Sequence, residues 1–196
     1  MKMIAMILFM KSVFTLFVAT IVWVYWKYYG PQNFLWMSDI GLFLTLGAVW
    51  LESPLLISIC ICAFLAVELA WNLDFFVELI TRRSMFGLAH YMFQPRHTLF
   101  LRSLSLFHVI LPAIWLWLTI SWGYDVHALA YAVPLLWIIF ITTYFCTDHE
   151  LNINWVFMPL LFHWKHVPMG MWFIFLLIGY PLLVCLPTHL IFARLF

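Results

Sequence analysis

Charge is the first thing this chain lacks. Only 9% of its 196 residues are Asp, Glu, Lys or Arg, against about 25% in a soluble domain. The formal net charge of +1 comes with no basic stripe, zinc-finger spacing or RNA-binding motif, which excludes a nucleic-acid partner. Cysteine is sparse: Cys60, Cys62, Cys146 and Cys185. Cys60 and Cys62, two apart, point in different directions on a helix, so the four thiols read as small apolar fillers rather than a disulfide frame or a metal clamp. No Gly-, Ser- or Pro-rich linker and no internal repeat divides the chain, so residues 1–196 read as one domain.

What the chain has instead is apolar bulk, 67% of all residues. A soluble fold of this length has no interior large enough to hide that surface, whereas a bilayer removes the requirement. The class expected is all-α: a polytopic transmembrane helix bundle of about six spans with two long interfacial connections, the lipid bilayer being its first partner. The spans fall at about residues 4–26, 35–51, 54–80, 103–122, 126–146 and 170–192. Met1–Trp26 continues past any cleavage signal to Lys27 and reads as an uncleaved first span. Lys11 inside it requires snorkelling or a partner. Gly30-Pro31 and Gly123-Tyr124-Asp125 break the apolar runs. The connection Thr81–Arg102 carries Arg82, Arg83, Arg96, His90 and His97 among apolar residues. The connection Thr147–Met169 carries a run, Trp155–Phe162, too short to span and read as interfacial or re-entrant.

Lys and Arg set the orientation. Lys27, Arg82, Arg83, Arg96, Arg102 and Lys165 lie on the side of the first, third and fifth connections. Lys2, Lys11 and Arg194 lie opposite. The long connections are therefore expected in the cytoplasm and both termini outside. Tryptophan and tyrosine gather near several span ends, as interfacial belts do.

Each ionisable group inside a span needs a reason, because insertion costs about 2.5–3.5 kcal/mol. Asp39 lies about one turn into the second span, where an acid also suits the helix N-terminus. Glu68 lies about 21 Å along the third, at 1.5 Å per residue from Pro54. Asn72 shares its face four residues on. Asp74, Glu78 and Arg82 form a second ladder, and Glu78–Arg82 reads as a solvated surface pair. His108 lies about 9 Å beyond Arg102 in the fourth span. Tracing the spans up and down brings these groups to one end, together with Asp148, His149, Asn152 and Asn154.

That asymmetry predicts a polar pocket opening toward the connections, binding a small or lipid-derived molecule. Asp39, Glu68, Asn72, Asp74 and His108 would line it, Asn152 and Asn154 would sit on its lid, and Arg102 would meet an anionic head group. The alternatives are an intramembrane acid/base enzyme using His108 with Glu68 or Asp74, a proton-linked transporter, and an accessory subunit whose polar residues fasten helices. Ser105 and His108 make a weak nucleophile and base. His163 and His166, at i, i+3, are weak metal candidates without the further histidine boxes a membrane di-iron site uses. No GxSxG, HExxH or P-loop occurs, and the Pro31-Gln32 pair alone does not make a PQ-loop transporter. The residues name no cofactor and no oligomeric state.

Five stretches carry a resemblance: Trp36-Met37-Ser38-Asp39-Ile40-Gly41-Leu42-Phe43, Trp71-Asn72-Leu73-Asp74-Phe75-Phe76, Leu99 to His108, Asn152-Ile153-Asn154-Trp155-Val156, and Leu186-Pro187-Thr188-His189-Leu190. In these the chain resembles a set of small bacterial polytopic proteins described only as membrane-associated, with no established activity. The resemblance covers most of the chain after the first span. It implies the helical architecture and a bacterial inner-membrane location, and no chemistry.

Overall fold

The computed structural model describes residues 2–159 and 167–196. Among these the regular structure is helical and no strand occurs. The helices are α1 (Lys2–Tyr29), α2 (Met37–Leu51), α3 (Pro54–Thr81), α4 (Leu99–Leu104), α5 (Phe107–Trp122), α6 (Ala128–Cys146), α7 (Met169–Tyr180) and α8 (Leu186–Leu195). Single helical turns lie at Pro31–Leu35, His90–Phe93 and Ile153–Trp155. Five stretches are long and apolar enough to cross a membrane: Ala5–Tyr29, Pro54–Thr81, Leu99–Trp122, Ala128–Cys146 and Met169–Leu195. The sixth apolar helix, α2, has 15 residues and is about 22 Å long at 1.5 Å per residue. Several-fold membrane spanning follows from this architecture.

The helix ends follow local chemistry. Ser53 Oγ accepts from Leu56 N–H and Pro54 occupies the first turn of α3, where its missing N–H has no partner to lose. The same helix closes at Arg82, and α2 at Glu52, both in the left-handed region at φ 59° and 50°. Thr98 Oγ1 accepts from Leu101 N–H, so the fourth span starts at Leu99 and not at Ser103. It bends at Ser105-Leu106, between α4 and α5. Lys11, the charge inside the first span, reaches Glu52 at 2.7 Å and lies over the Trp50 ring.

The central helix is α3, which packs against α2, α5, α6 and α8. Its first half is almost wholly buried, with Ile57, Cys60, Ile61, Cys62, Ala63 and Phe64 in the core. Leu69, Leu73, Phe76, Leu79 and Ile80 of its second half are exposed, as side chains in contact with lipid tails would be. Because α2 is the shorter arm of the α2–α3 hairpin, α3 runs beyond the start of α2. The space left there is filled from α1, α4–α5 and the connections.

Prolines inside the helices create a specific problem, and the fold answers it twice. Pro112 in α5 has no N–H for the carbonyl four residues earlier, that of His108; Asn72 Nδ2 of α3 donates to it instead, at 2.7 Å. Pro181, in the π-turn Pro181–Cys185 joining α7 to α8, likewise frees the carbonyl of Leu177. Trp137 Nε1 of α6 donates there at 2.9 Å.

The connections are organised rather than loose. Asp74, fully buried, accepts from the backbone N–H groups of Met85, Phe86 and Ala89 at 2.8 Å each and from Ser84 Oγ at 3.1 Å. Glu78 is buried and pairs with His90 at 2.7 Å. Expectation placed it in a solvated pair with Arg82, but the connection folds back over this face of α3 and Arg82 turns away as the helix cap. Gln32 and Asp148 exchange two hydrogen bonds of 3.3 Å, tying the first connection to the fifth.

Candidate functional site

The asymmetry of polar residues has a counterpart in space. A cavity of about 530 Å³ lies at the level where α2 begins, within the range of small-molecule sites. Four groups singled out from sequence line it: Asp39 of α2, Glu68 of α3, His108 of α5 and Asn154 of the fifth connection. Asn72, Asp74, Arg102 and Asn152 do not line it.

The centre of the site is the pair Glu68–His108. Glu68 is 2% exposed, and its Oε2 is 2.8 Å from Nδ1 of His108. The imidazole is held flat between two aromatic rings, Trp71 at 4.4 Å and Phe107 at 4.3 Å, with interplanar angles of 15° and 20°. Its orientation is therefore fixed by a carboxylate at one nitrogen and by stacking on both faces. Nε2 has no partner among the described residues. A neutral ring that donates from Nδ1 to the carboxylate presents Nε2 as an acceptor; a protonated ring presents a donor.

Asn72 positions both members of this pair by their backbones. Its Nδ2 donates at 2.7 Å to the carbonyl of Glu68 and at 2.7 Å to that of His108. It is thus a fastening between α3 and α5 one layer behind the cavity wall. Asp74 is likewise behind the wall and holds the backbone of the third connection in place. Through that anchor the connection brings Tyr91, Arg96 and His97 to the cavity. Arg102, expected to meet an anionic group, points instead at the carbonyl of Met92, 3.0 Å from its Nη1, because the connection packs over α4. Asn152 turns inward to its own loop, accepting from Phe157 and Met158 N–H and donating to Met158 O.

Asn154 is fully buried and closes the cavity differently. Its Oδ1 accepts from Met37 N–H at 3.0 Å and its Nδ2 donates to Leu35 O at 2.7 Å. The side chain thereby completes the backbone hydrogen bonding at the start of α2. It does so from a left-handed backbone, φ 52°, next to Asn152 at 40° and Trp155 at 56°.

Asp39 is 2% exposed. Asn33 Nδ2 donates to its Oδ2 at 3.1 Å, while Oδ1 is buried with no hydrogen-bond partner among the described residues. Trp71 Nε1, on another lining residue, is a buried donor in the same condition. Unmatched buried polar atoms are rare enough that each calls for an explanation.

Several lining groups gave no clear signal in sequence, being aromatic residues or members of a basic connection. Tyr25 and Tyr29 come from α1, which the sequence did not place at the site. Tyr25 OH and Ser105 Oγ are 2.8 Å apart, so Ser105 pairs with the first helix and not with the ring of His108. Tyr91 enters from the third connection; burial pushes its phenol up, the Ser105 hydroxyl pulls it down, and the charges of Glu68 and Asp39 raise it further. At the mouth, Arg96 Nε donates to His97 Nε2 at 3.1 Å. That leaves His97 Nδ1 as the protonated nitrogen, facing Tyr29 OH at 3.3 Å. Burial and then the positive charges of Arg96 and Arg102 hold the His97 pKa below its ordinary value of 6.5.

On the far side of the site the bundle is dense. Gly41, Phe64 and Trp115 meet there, with Trp115 fully buried and its Nε1 donating to Thr45 Oγ1 at 2.6 Å. The polar groups at the other end of the helices bond among themselves: Asp125 N–H to Ser58 Oγ at 2.8 Å, and Tyr124 OH with His189 Nδ1 at 3.0 Å. Of the cysteines, Cys62 reaches the carbonyl of Cys185 at 3.6 Å, away from the cavity. No cluster of three or more His, Cys, Asp or Glu able to hold a metal occurs among the described residues. His163 and His166 lie outside those residues. No family model, curated protein or solved structure matches the chain.

Proposed function

We propose that this integral membrane protein binds a small or lipid-derived molecule in the cavity beside α2, with Glu68 and His108 as the groups that recognise it. The observation that carries this reading is the imidazole of His108. It is oriented by a buried carboxylate, clamped between Trp71 and Phe107, and has no Nε2 partner among the described residues on a side chain that lines the cavity. A histidine needed only to fasten helices would spend both nitrogens on neighbours. The excess of Lys and Arg on the connections supports a cytoplasmic opening. The likeness to small bacterial membrane-associated proteins supports an inner-membrane setting.

Acid/base catalysis is a second reading with an observation of its own. A carboxylate at Nδ1 and a free Nε2 are the base and orienter of a general-base pair. Nε2 contacts no protein nucleophile among the described residues, so the proton taken would come from the bound molecule or from water. A transporter finds less support, since Phe64 and Trp115 close the bundle beyond the site in this conformation.

Mass spectrometry of the protein purified in mild detergent tests the binding reading. Wild type is expected to retain a molecule that Glu68→Gln and His108→Ala lose, at unchanged helicity. Equal retention by all three refutes it. Catalysis is separated by His108→Gln: chemical conversion of the retained molecule stops while its binding persists.

A further inference from the structure

The cavity has an acidic inner end and a basic mouth. Two buried carboxylates, Asp39 and Glu68, stand at the inner end, each 2% exposed. One imidazole, His108, answers Glu68; among the described residues nothing cationic answers Asp39. Even with His108 protonated, two ionised carboxylates leave a net charge of −1, and a buried charge without a partner is strongly disfavoured. Asp39 lies in the first turn of α2, an end of the helix that suits an anion once a cation is brought to it. Its Oδ1 is the unpartnered acceptor. Asp39, Glu68 and Tyr91 all line the same cavity.

At the mouth, Arg96 is exposed and commits only Nε, to His97. Its two terminal nitrogens have no partner among the described residues, a fork suited to phosphate or carboxylate. Arg96 can therefore hold an anion outside, while among the described residues the inner end has no cation for Asp39.

Resting on the pocket reading above, we propose that the bound molecule is a zwitterion with a primary ammonium group. The ammonium sits inward against Asp39 Oδ1 and Glu68, and a phosphate or carboxylate faces Arg96. A primary ammonium fits better than a quaternary one for two reasons. It carries three N–H donors for Asp39, Glu68 and the Tyr91 hydroxyl. A quaternary ammonium carries no N–H at all and would leave Asp39 Oδ1 without a donor. The same chemistry occurs in a free amino-phosphate and in an aminophospholipid head group.

Titration calorimetry on the detergent-purified full chain, with phosphoethanolamine, phosphocholine and ethyl phosphate, tests the chemistry. Nanodiscs of phosphatidylethanolamine against phosphatidylcholine, read by the shift in melting temperature, test the source. The expected result is binding of the ethanolamine form about tenfold or more tighter than the choline or amine-free form, the value of one charge-assisted hydrogen bond. Asp39→Asn should remove that preference. Arg96→Gln, an exposed rim substitution that also gives up the bond to His97, should weaken binding while leaving the preference intact. Binding of the soluble probe assigns a free ligand; a response confined to nanodiscs assigns the lipid. Equal binding of all three probes, a preference that survives in Asp39→Asn, or binding of neither soluble nor lipid probe overturns the proposal. The pocket reading is judged separately, by whether Glu68→Gln still loses the molecule that co-purifies.

Discussion

Replacing Asn72 by alanine tests how the site is held. Two hydrogen bonds of 2.7 Å disappear, one of them to the His108 carbonyl. The donor four residues on, which a helix carbonyl ordinarily uses, is missing because residue 112 is proline. Hydrogen bonds between membrane helices average about 0.6 kcal/mol and reach about 1.7, and an acceptor left buried and unmatched costs about 1–3 kcal/mol. The two effects overlap, so Asn72→Ala should destabilise by about 1–3 kcal/mol. The argument is sharpened by Pro112→Ala, which gives residue 112 an N–H that can reach the His108 carbonyl within α5. On that background Asn72→Ala should cost less than half as much. Reversible unfolding in mixed detergent micelles, run as a double-mutant cycle on the four proteins, reads the difference. Equal costs on both backgrounds, within the roughly 0.3–0.5 kcal/mol expected of independent sites, would refute the idea that Asn72 substitutes for the missing proline N–H.

Three further outcomes follow from neighbouring geometry. Asp74→Ala should release the third connection, seen as faster hydrogen exchange at the amides of Met85, Phe86 and Ala89 with little change at the centre of α3; protection unchanged at those three amides would contradict the anchor. Acid should loosen the cavity mouth. The His97 pKa is held below 6.5, so the folded form binds fewer protons than the unfolded one; its contribution is complete above 6.5 and is lost as pH falls through the folded value. Protonation removes the acceptor used by Arg96, and exchange at residues 91–98 should rise on acidification in wild type but not in His97→Asn. Gly41→Ala places a Cβ 3.0 Å from the Trp115 ring and 3.3 Å from Phe64, and should lower stability by about 1–3 kcal/mol through overpacking, measured by the same unfolding assay. A neutral effect would mean that the layer below the cavity is slack.

The helical class was legible because apolar run length is a direct record of the bilayer. So was the side on which Asp39, Glu68 and His108 gather, since alternating the direction of the spans is enough to place them. What each polar residue does there was less legible. Asn72 and Asp74 looked like lining groups because sequence marks them as intolerable in lipid; it does not distinguish a side chain facing a cavity from one bonded to a backbone. Glu78 was misread for the same reason, its partner His90 lying beyond a turn that Asp74 organises. Arg102 and Arg96 exchange roles through the fold of the third connection, a tertiary matter. The contribution of α1 had no signal, since Tyr25 and Tyr29 are what any interfacial span end would carry.

Two of the carbonyls freed by proline, those of His108 and Leu177, have a bearing on how the chain is made. In each case the side chain that answers the carbonyl belongs to an earlier helix: Asn72 of α3 serves α5, and Trp137 of α6 serves α7. During synthesis from the N-terminus the donor is therefore in place before the acceptor arrives. A bent helix entering the bilayer alone would carry an exposed carbonyl into hydrocarbon, but here each enters beside a neighbour already equipped to receive it. The order of the helices along the gene thus doubles as an order of assembly, and moving α3 behind α5 by circular permutation would leave the completed bundle the same while making its insertion harder.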